Sequence, residues 1–378
     1  MRIAILRRAP KASFSMDVYA DGLIRGLKVV RPNWQIIECS PVLNIASVRQ
    51  SNWIAGGQKY YERYWRYPRT LKNLDADIFH VIDQSDGYLS YWLKRYKKPN
   101  VVTCHDLINL IKPDTFQGRA KFPLISITAW KLAIQGMREA NHILAVSSHT
   151  KKDAVEHLAI APHNITVVPN AVDAIFHPLL PDDIDEFRRR RGIAKDTLCL
   201  LNVGSNNARK NILTILKTLA VLNTQGLPVM FWKVGADFNA EQKHFIKIHH
   251  LESCIAYLGH PDEATLVKIY NAADVLLAPS LYEGFGLTVL EAMACGAAVV
   301  AANATSIPEV AGDAAILTAP LDVDAIVKAI QQLYDHPRYR EQLVQRGLER
   351  VKQFTWEKTA AHVANVYEQV LDKCSAYE

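Results

Sequence analysis

The sequence predicts an α/β protein of two successive halves, each a parallel, doubly wound sheet with helices on its faces. Three observations lead there. Short, β-branched apolar runs alternate with helix-period segments along most of the chain, the pattern expected of parallel sheets with helical crossovers. The alternation is interrupted at His177-Pro178-Leu179-Leu180-Pro181-Asp182-Asp183 and then resumes. At 378 residues the chain also exceeds the size at which a single hydrophobic core usually stops growing, so two domains are expected.

Arg2 to Leu6 is the first strand-like run, and Tyr19, Leu23, Leu27 and Val30 after it share one face of a helix. Further runs at Gln35 to Cys39, Ile78 to Ile82, Asn100 to Cys104 and His142 to Val146 are short and bounded by polar or turn residues, with a helical segment from Ile125 to Glu139 before the last. The two prolines, the acids behind them and the basic run Arg188 to Arg191 place a linker at residues 179–194. A second series follows, with strands at Leu198 to Val203, Val229 to Val234, Ile255 to Leu258, Val275 to Ala278 and Ala298 to Ala301. In the last segment Trp356, Ala360, Val363, Tyr367 and Val370 line one helix face, which either closes the second domain or crosses back to the first. The expected organisation is a Rossmann-like domain over 1–178, the linker, a second Rossmann-like domain over 195–355, and a C-terminal helix over 356–378.

Composition narrows the class. Hydrophobic residues at 49% and charged residues at 22% fill two interiors and exclude a disordered chain. The six cysteines have no metal-ligand spacing and are expected to be reduced. The opening MRIAILRR is too short in apolar residues for a signal peptide, and no window reaches the roughly 18 apolar residues of a membrane span, so a soluble cytoplasmic protein is expected. The net charge of +6 is divided unevenly: residues 1–178 carry +10 and the rest −4. A basic first half points to an anionic partner there, whether a phospholipid surface, a lipid-linked pyrophosphate or nucleic acid.

The segment Asp274 to Gly312 carries the most chemistry. Asp274 to Ser280 reads as a buried strand, Glu283-Gly284-Phe285-Gly286 as a loop, and Leu287 to Ala294 as a helix. A glycine-bearing loop between strand and helix presents backbone N–H groups and the positive end of the helix dipole at the carboxyl edge of the sheet, where a diphosphate binds. Glu283 lies in the loop and Glu291 in the second turn, placed to accept hydrogen bonds from vicinal hydroxyls. From spacing alone a helix-capping Glu283 and a solvated Glu291 fit equally well.

This stretch resembles the signature of the family 4 retaining glycosyltransferases of GT-B fold (glycosyltransferase group 1), in which two glutamates with seven residues between them flank the loop that receives a nucleotide sugar. The resemblance implies two Rossmann-like domains with parallel sheets facing across a cleft. It also implies that Glu283 contacts the transferred sugar, that Glu291 holds the ribose hydroxyls, and that the amides of Phe285, Gly286 and Leu287 meet the phosphates; Gly284 and Gly286, from the residues themselves, allow a ligand to approach the backbone closely.

A second motif, Val203-Gly204-Ser205-Asn206-Asn207-Ala208-Arg209-Lys210-Asn211, follows the first strand of the second half. Two cations at a helix start oppose the dipole, a conflict that an anionic ligand relieves; a solvated basic pair is the plainer reading. The resemblance makes Lys210 the neutraliser of the donor diphosphate. The arginine usual after the glycine is replaced by Ser205, so Arg209 is expected to substitute. In the first half Thr103-Cys104-His105-Asp106-Leu107 follows a strand end, the edge where ligands of open sheets bind. From the residues alone His105 is equally a loop histidine; the resemblance places it near the donor sugar, oriented by Asp106. The loop Arg7 to Asp17 lacks the paired glycines usual in the family, which leaves its acceptor contacts open.

Asp75-Ala76-Asp77 and Asp322-Val323-Asp324 are explained by turn and N-cap roles, and no metal is expected. Lys59 to Lys72 and Tyr88 to Lys98 interleave aromatic with basic residues. They suit peripheral contact with an anionic membrane or, equally, a core-facing aromatic stripe with solvated cations. No nucleic-acid-binding module is visible. The resemblance implies metal-independent transfer, with retention, of a hexose from a nucleotide diphosphate sugar to a glycan or lipid-linked acceptor in cell-surface polysaccharide synthesis. Mannosyltransferase-like features make GDP-mannose the first choice of donor and UDP-glucose or another UDP-hexose the alternative. A sugar-nucleotide 2-epimerase of the same fold and a non-enzymatic binding module are the rivals. The lack of G-x-G-x-x-G after either first strand disfavours an oxidoreductase.

Overall fold

The structure, a computed structural model, describes residues 1–9, 13–41, 60–111 and 123–376. It forms two compact units, Met1–Ala171 with Trp356–Glu378, and Val172–Thr355.

The first unit is a six-stranded parallel sheet of β1 (Arg2–Leu6), β2 (Gln35–Cys39), β3 (Ile78–Val81), β4 (Asn100–Cys104), β5 (His142–Ala145) and β6 (Ile165–Val167), in the order β2-β1-β3-β4-β5-β6. β3, β4 and β5 are buried at every position, as strands covered by helices on both faces must be. β6 is a three-residue edge strand, too short to show a period, and had no counterpart in the sequence reading.

The C-terminal helix, Trp356–Ser375, packs on the first unit against the helix Phe14–Val30, and all five of its predicted face residues are buried. Two glycines permit this. A Cβ at Gly22 would lie 2.0 Å from the Trp356 ring, and one at Gly26 would lie 2.4 Å from the Trp356 carbonyl. Gly26→Ala is expected to destabilise the protein. Alanine gains at most about 1 kcal/mol of helix propensity, but forcing two helix backbones apart costs roughly 1–3 kcal/mol or more. Calorimetry checks this, and an unchanged or raised Tm would contradict it.

Beneath this helix pair lies a buried polar chain. His80 is fully buried, with Nδ1 2.6 Å from the Tyr367 hydroxyl and Nε2 2.7 Å from Thr103 Oγ1, and Thr103 Oγ1 is 3.1 Å from the Tyr19 hydroxyl. Desolvation, with help from nearby His105, holds the imidazole pKa down to about 3. His142, also buried, is lowered to about 4, mainly by desolvation. Below about pH 6.5 the unfolded chain therefore takes up protons that the folded chain refuses, and stability falls as pH falls. Denaturant midpoints are expected to drop between pH 7 and 5, with a shallower drop in His80→Asn; equal slopes would contradict the assignment.

The second unit is a parallel sheet of β7 (Leu198–Gly204), β8 (Val229–Gly235), β9 (Ile255–Tyr257), β10 (Val275–Ala278), β11 (Ala298–Ala302) and β12 (Ile316–Thr318), in the order β12-β11-β10-β7-β8-β9. β12 is a second short edge strand without a counterpart in the sequence reading. The chain runs one way from β7 to β9 and the other way from β10 to β12, so the loops after β7 and β10 part between them. That topological switch point is where open α/β sheets bind ligands.

The segment expected as a linker contains the helix Pro181–Arg190, with proline and Asp182-Asp183 in its first turn and Arg188 to Arg190 in its last, a charge order that suits the helix dipole. Arg188 donates to the carbonyls of Ala272 (3.0 Å) and Thr197 (2.8 Å) and to Asp274 (2.9 Å), which ties this helix to the second unit.

Among the described residues no helix is long and apolar enough to cross a membrane. None of the six cysteines is in a disulfide. The acidic triplets serve locally: Arg2 pairs with Asp75 and donates its N–H to Asp77, and Asp322 caps the helix Val323–Asp335 through the Ala325 N–H.

Candidate active site

The site in the second unit is assembled at the switch point from the loops after β7 and β10. β7 ends at Gly204 with φ of +139°, and a Cβ there would press on the Lys210 side chain at 3.3 Å. Its register partner Gly235, with φ of +95°, would drive a Cβ to 2.4 Å from the Gly204 carbonyl oxygen. Two glycines side by side let the strand ends meet where side chains would hold them apart.

Beyond Gly204 and Ser205 the chain is held by Asn206, whose amide exchanges hydrogen bonds with the Gln242 amide at 2.8 Å each way. Arg209 and Lys210 lie in a 3-10 turn, Ala208–Lys210, and not in the first turn of the helix as the sequence suggested. That helix, Ile212–Thr224, begins only after Asn211, in the left-handed region at φ of +56°. The Asn211 side chain donates to the carbonyls of Pro279 (3.0 Å) and Pro320 (2.6 Å) and accepts from Thr214 (2.8 Å). It thus locks the β7 loop to the β10 loop, a role sequence reading did not anticipate.

Glu283 joins the two motifs. Its carboxylate accepts from Lys210 Nζ at 2.7 Å and Arg209 at 2.8 Å, and Arg209 also donates to the Tyr282 carbonyl at 3.0 Å. The helix-capping alternative for Glu283 is not what forms. Burial alone would raise its pKa, but the two cations outweigh it and hold the carboxyl down to about 2. The charge conflict noted in the sequence is thus relieved inside the chain, and two cations against one anion leave a net positive site.

The Glu283–Phe285 backbone is fastened from behind. Thr305 Oγ1 accepts from the Glu283 N–H at 3.0 Å, and fully buried Ser306 Oγ lies 2.9 Å from the Glu283 carbonyl and 2.7 Å from that of Phe285. Both belong to the Ala304-Thr305-Ser306 turn, whose part in the site was not foreseen. Gly286 caps the helix Leu287–Ala294 with φ of +118°, a conformation only glycine adopts readily. Helix geometry leaves the Leu287 and Thr288 amides without an acceptor inside the helix, whereas the Val289 N–H binds the Gly286 carbonyl at 3.0 Å. Phe285 is buried edge-on against Phe354. Glu291, partly buried one turn further on, accepts from the Tyr270 hydroxyl at 2.6 Å, and burial pushes its pKa up.

His105 belongs to the first unit. Its Nε2 lies 2.9 Å from the Ile82 carbonyl and its N–H donates to Gln84 at 3.0 Å. Since a carbonyl only accepts, the proton sits on Nε2 and Nδ1 keeps a lone pair in the neutral ring. Tyr19 packs edge-on against the imidazole at 4.7 Å. Asp106, expected to orient His105, accepts from the Ile108 N–H at 3.3 Å; Ile82 and Tyr19 meet the ring and Gln84 the backbone. In the loop after β1, residues 10–12 lie outside the described residues; Arg7 pairs with Asp21 and Glu38, and Arg8 with Asp83.

Fold and site together define a GT-B glycosyltransferase scaffold. Residues 183–350 match the family Glycosyl transferases group 1 and residues 26–175 match Glycosyltransferase Family 4, and the chain belongs to this group of glycosyltransferases. It is similar to O-antigen chain mannosyltransferase B of Escherichia coli, 31% identical over 62% of each chain. It is also similar to the serotype-specific mannosyltransferase WbdA of Escherichia coli, 30% identical over 78% of this chain and 37% of the relative. The matches thus span less than two thirds of either relative. Among solved structures, sucrose-phosphate synthase from Thermosynechococcus elongatus superposes with a TM-score of 0.77 at 20% identity, over 99% of this chain and 100% of that one. HepE of Anabaena, in complex with UDP, gives 0.75 at 18% identity, over 98% and 100%. At these identities the likeness is one of fold.

Proposed function

We propose that the protein transfers mannose from GDP-mannose to a hydroxyl of a glycan or lipid-linked acceptor, with retention of configuration and without a metal ion. The observation that carries this reading is the Arg209–Glu283–Lys210 cluster at the switch point of the second sheet. Arg209, Lys210 and the amides of Phe285, Gly286 and Leu287 form a preorganised positive surface for a diphosphate that gains charge as it leaves. Their charge supplies what a divalent cation would otherwise provide. With its carboxyl held down to about 2, Glu283 is too weak a base to take a proton near neutrality. It accepts a hydrogen bond from a sugar hydroxyl instead. In the proposed step the bond from sugar C1 to the diphosphate breaks, the acceptor oxygen attacks C1 on the same face, and its proton passes to the departing diphosphate. Glu291 holds the ribose hydroxyls, and His105 is proposed to meet a sugar hydroxyl.

Mannose rests on the relatives named as mannosyltransferases; the UDP-bound HepE favours a UDP-hexose as the second reading. In the first unit Tyr61, Trp65 and Tyr91 are exposed, with Arg69 stacked 3.8 Å from the Trp65 ring, a surface suited to an anionic membrane. Tyr67 and Tyr88 of the same stretches are buried, and Lys59 lies outside the described residues.

Product analysis tests the reading. GDP and a new mannosylated product are expected from GDP-mannose and a lipid-linked or glycan acceptor, undiminished by EDTA. Loss of turnover with EDTA contradicts metal independence, and conversion of a nucleotide sugar to its 2-epimer contradicts transfer.

A further inference from the structure

Lys233 sits within β8, fully buried, where lysine is rare unless paired. Its Nζ donates to two neutral carbonyls, Gly204 at 2.9 Å and Val234 at 2.8 Å, and among the described residues it forms no ion pair with a carboxylate. The Gly204 carbonyl has a second donor in the Ala236 N–H at 3.1 Å, so holding the turn does not by itself require a charge. Close to the same turn, a Cβ built on Gly204 would lie 3.3 Å from the Lys210 side chain, and Lys210 is close enough to act electrostatically on Lys233. A buried ammonium placed behind a second ammonium is unfavourable in the empty site and becomes favourable when an anion arrives in front of both.

We propose that Lys233 is a third cation of the donor site, set behind the Gly204 turn, that strengthens diphosphate binding and fixes the position of Lys210. It does not touch the reacting atoms and is a positioning residue; the proposal rests on the reading of the second unit as the diphosphate site. The charged and titratable groups around it are Lys210, Asp237 and, on β9, its register partner Tyr257. Desolvation first, then Lys210, push its pKa down to about 8, with Asp237 opposing. Nucleotide diphosphate binding is therefore expected to draw a proton onto Lys233 at mildly alkaline pH, and affinity to fall above pH 8 as the free protein loses that proton.

The test is calorimetric titration of the whole chain with GDP and with UDP at pH 7, 8.5 and 9.5, using wild type and Lys233→Met. Wild type is expected to lose about ten-fold in affinity between pH 7 and 9.5. Lys233→Met is expected to bind about ten-fold more weakly at pH 7 with a flatter profile. Should Lys233→Met fail to fold, wild type alone decides: titration at pH 8.5 in buffers of different ionisation enthalpy is expected to show proton uptake on binding. A Lys233→Met protein with wild-type affinity and slope, or wild type binding with no proton uptake, overturns the proposal alone. Wild type that binds neither nucleotide overturns the proposal and the site reading together.

Discussion

Lys210→Ala lowers kcat/KM for the nucleotide sugar by about 10²–10³-fold, the usual effect of removing one preorganised group that meets developing charge. In the resting site Lys210 neutralises Glu283 at 2.7 Å, and a Cβ on Gly204 would crowd its side chain at 3.3 Å. The alanine variant therefore loses a diphosphate cation and also leaves Glu283 balanced by Arg209 alone. With one cation fewer, burial weighs more heavily on that carboxyl and its pKa rises, so residual activity acquires an acid limb at higher pH than in wild type. Lys210→Arg restores little, because a longer, planar head must fit the space bounded by Gly204 and Glu283. Steady-state kinetics across pH checks this; activity within three-fold of wild type would exclude Lys210 from the diphosphate site.

Glu283→Gln separates binding from chemistry. The substitution keeps the shape but removes the anion that holds Arg209 and Lys210, so two cations are left facing the diphosphate. kcat is expected to fall about 10²-fold, while GDP, which lacks the sugar, binds as tightly as in wild type or more so. The same change removes a buried ion pair, and a loss of roughly 3–5 kcal/mol in stability is expected. Because, despite burial, Lys210 and Arg209 hold the folded carboxyl below its ordinary value of 4.5, down to about 2, its stabilisation is present above about pH 4.5 and disappears as pH falls toward 2; the variant lacks that dependence. Equal loss of GDP affinity and kcat would show that Glu283 serves the diphosphate site as scaffold and does not distinguish the sugar.

Much of this architecture was legible in the sequence because the strongest signals are local. β10 is an unbroken apolar run, β1 and β4 are short runs that are mostly apolar, and Trp356 to Val370 repeats at a clean helical spacing. β6 and β12, three residues each at sheet edges, carry no period to read. The two glutamates and the Arg209-Lys210 pair were visible as residues, but their pairing was not, since Glu283 and Lys210 are 73 positions apart and only the adjacency of β7 and β10 joins them. Asn211, Thr305 and Ser306 looked like ordinary polar loop residues; their work is to fasten one loop to another, which depends on topology. Lys233 reads in the sequence as a blemish in an apolar strand, and its meaning emerges only from the Gly204 carbonyl it binds and the lysine beyond it.

On this reading the second unit binds a nucleotide diphosphate sugar through Lys210 and Glu291. Thermal shift against GDP-mannose, UDP-glucose, UDP-GlcNAc and NAD, on wild type, Lys210→Ala and Glu291→Ala, measures that binding. A ligand at about 100 times its Kd stabilises by roughly 2.7 kcal/mol, a shift of a few degrees. GDP-mannose is expected to give a shift that both variants abolish; no shift with any sugar nucleotide, or the same shift in both variants, would mean that Lys210 and Glu291 do not form a donor site.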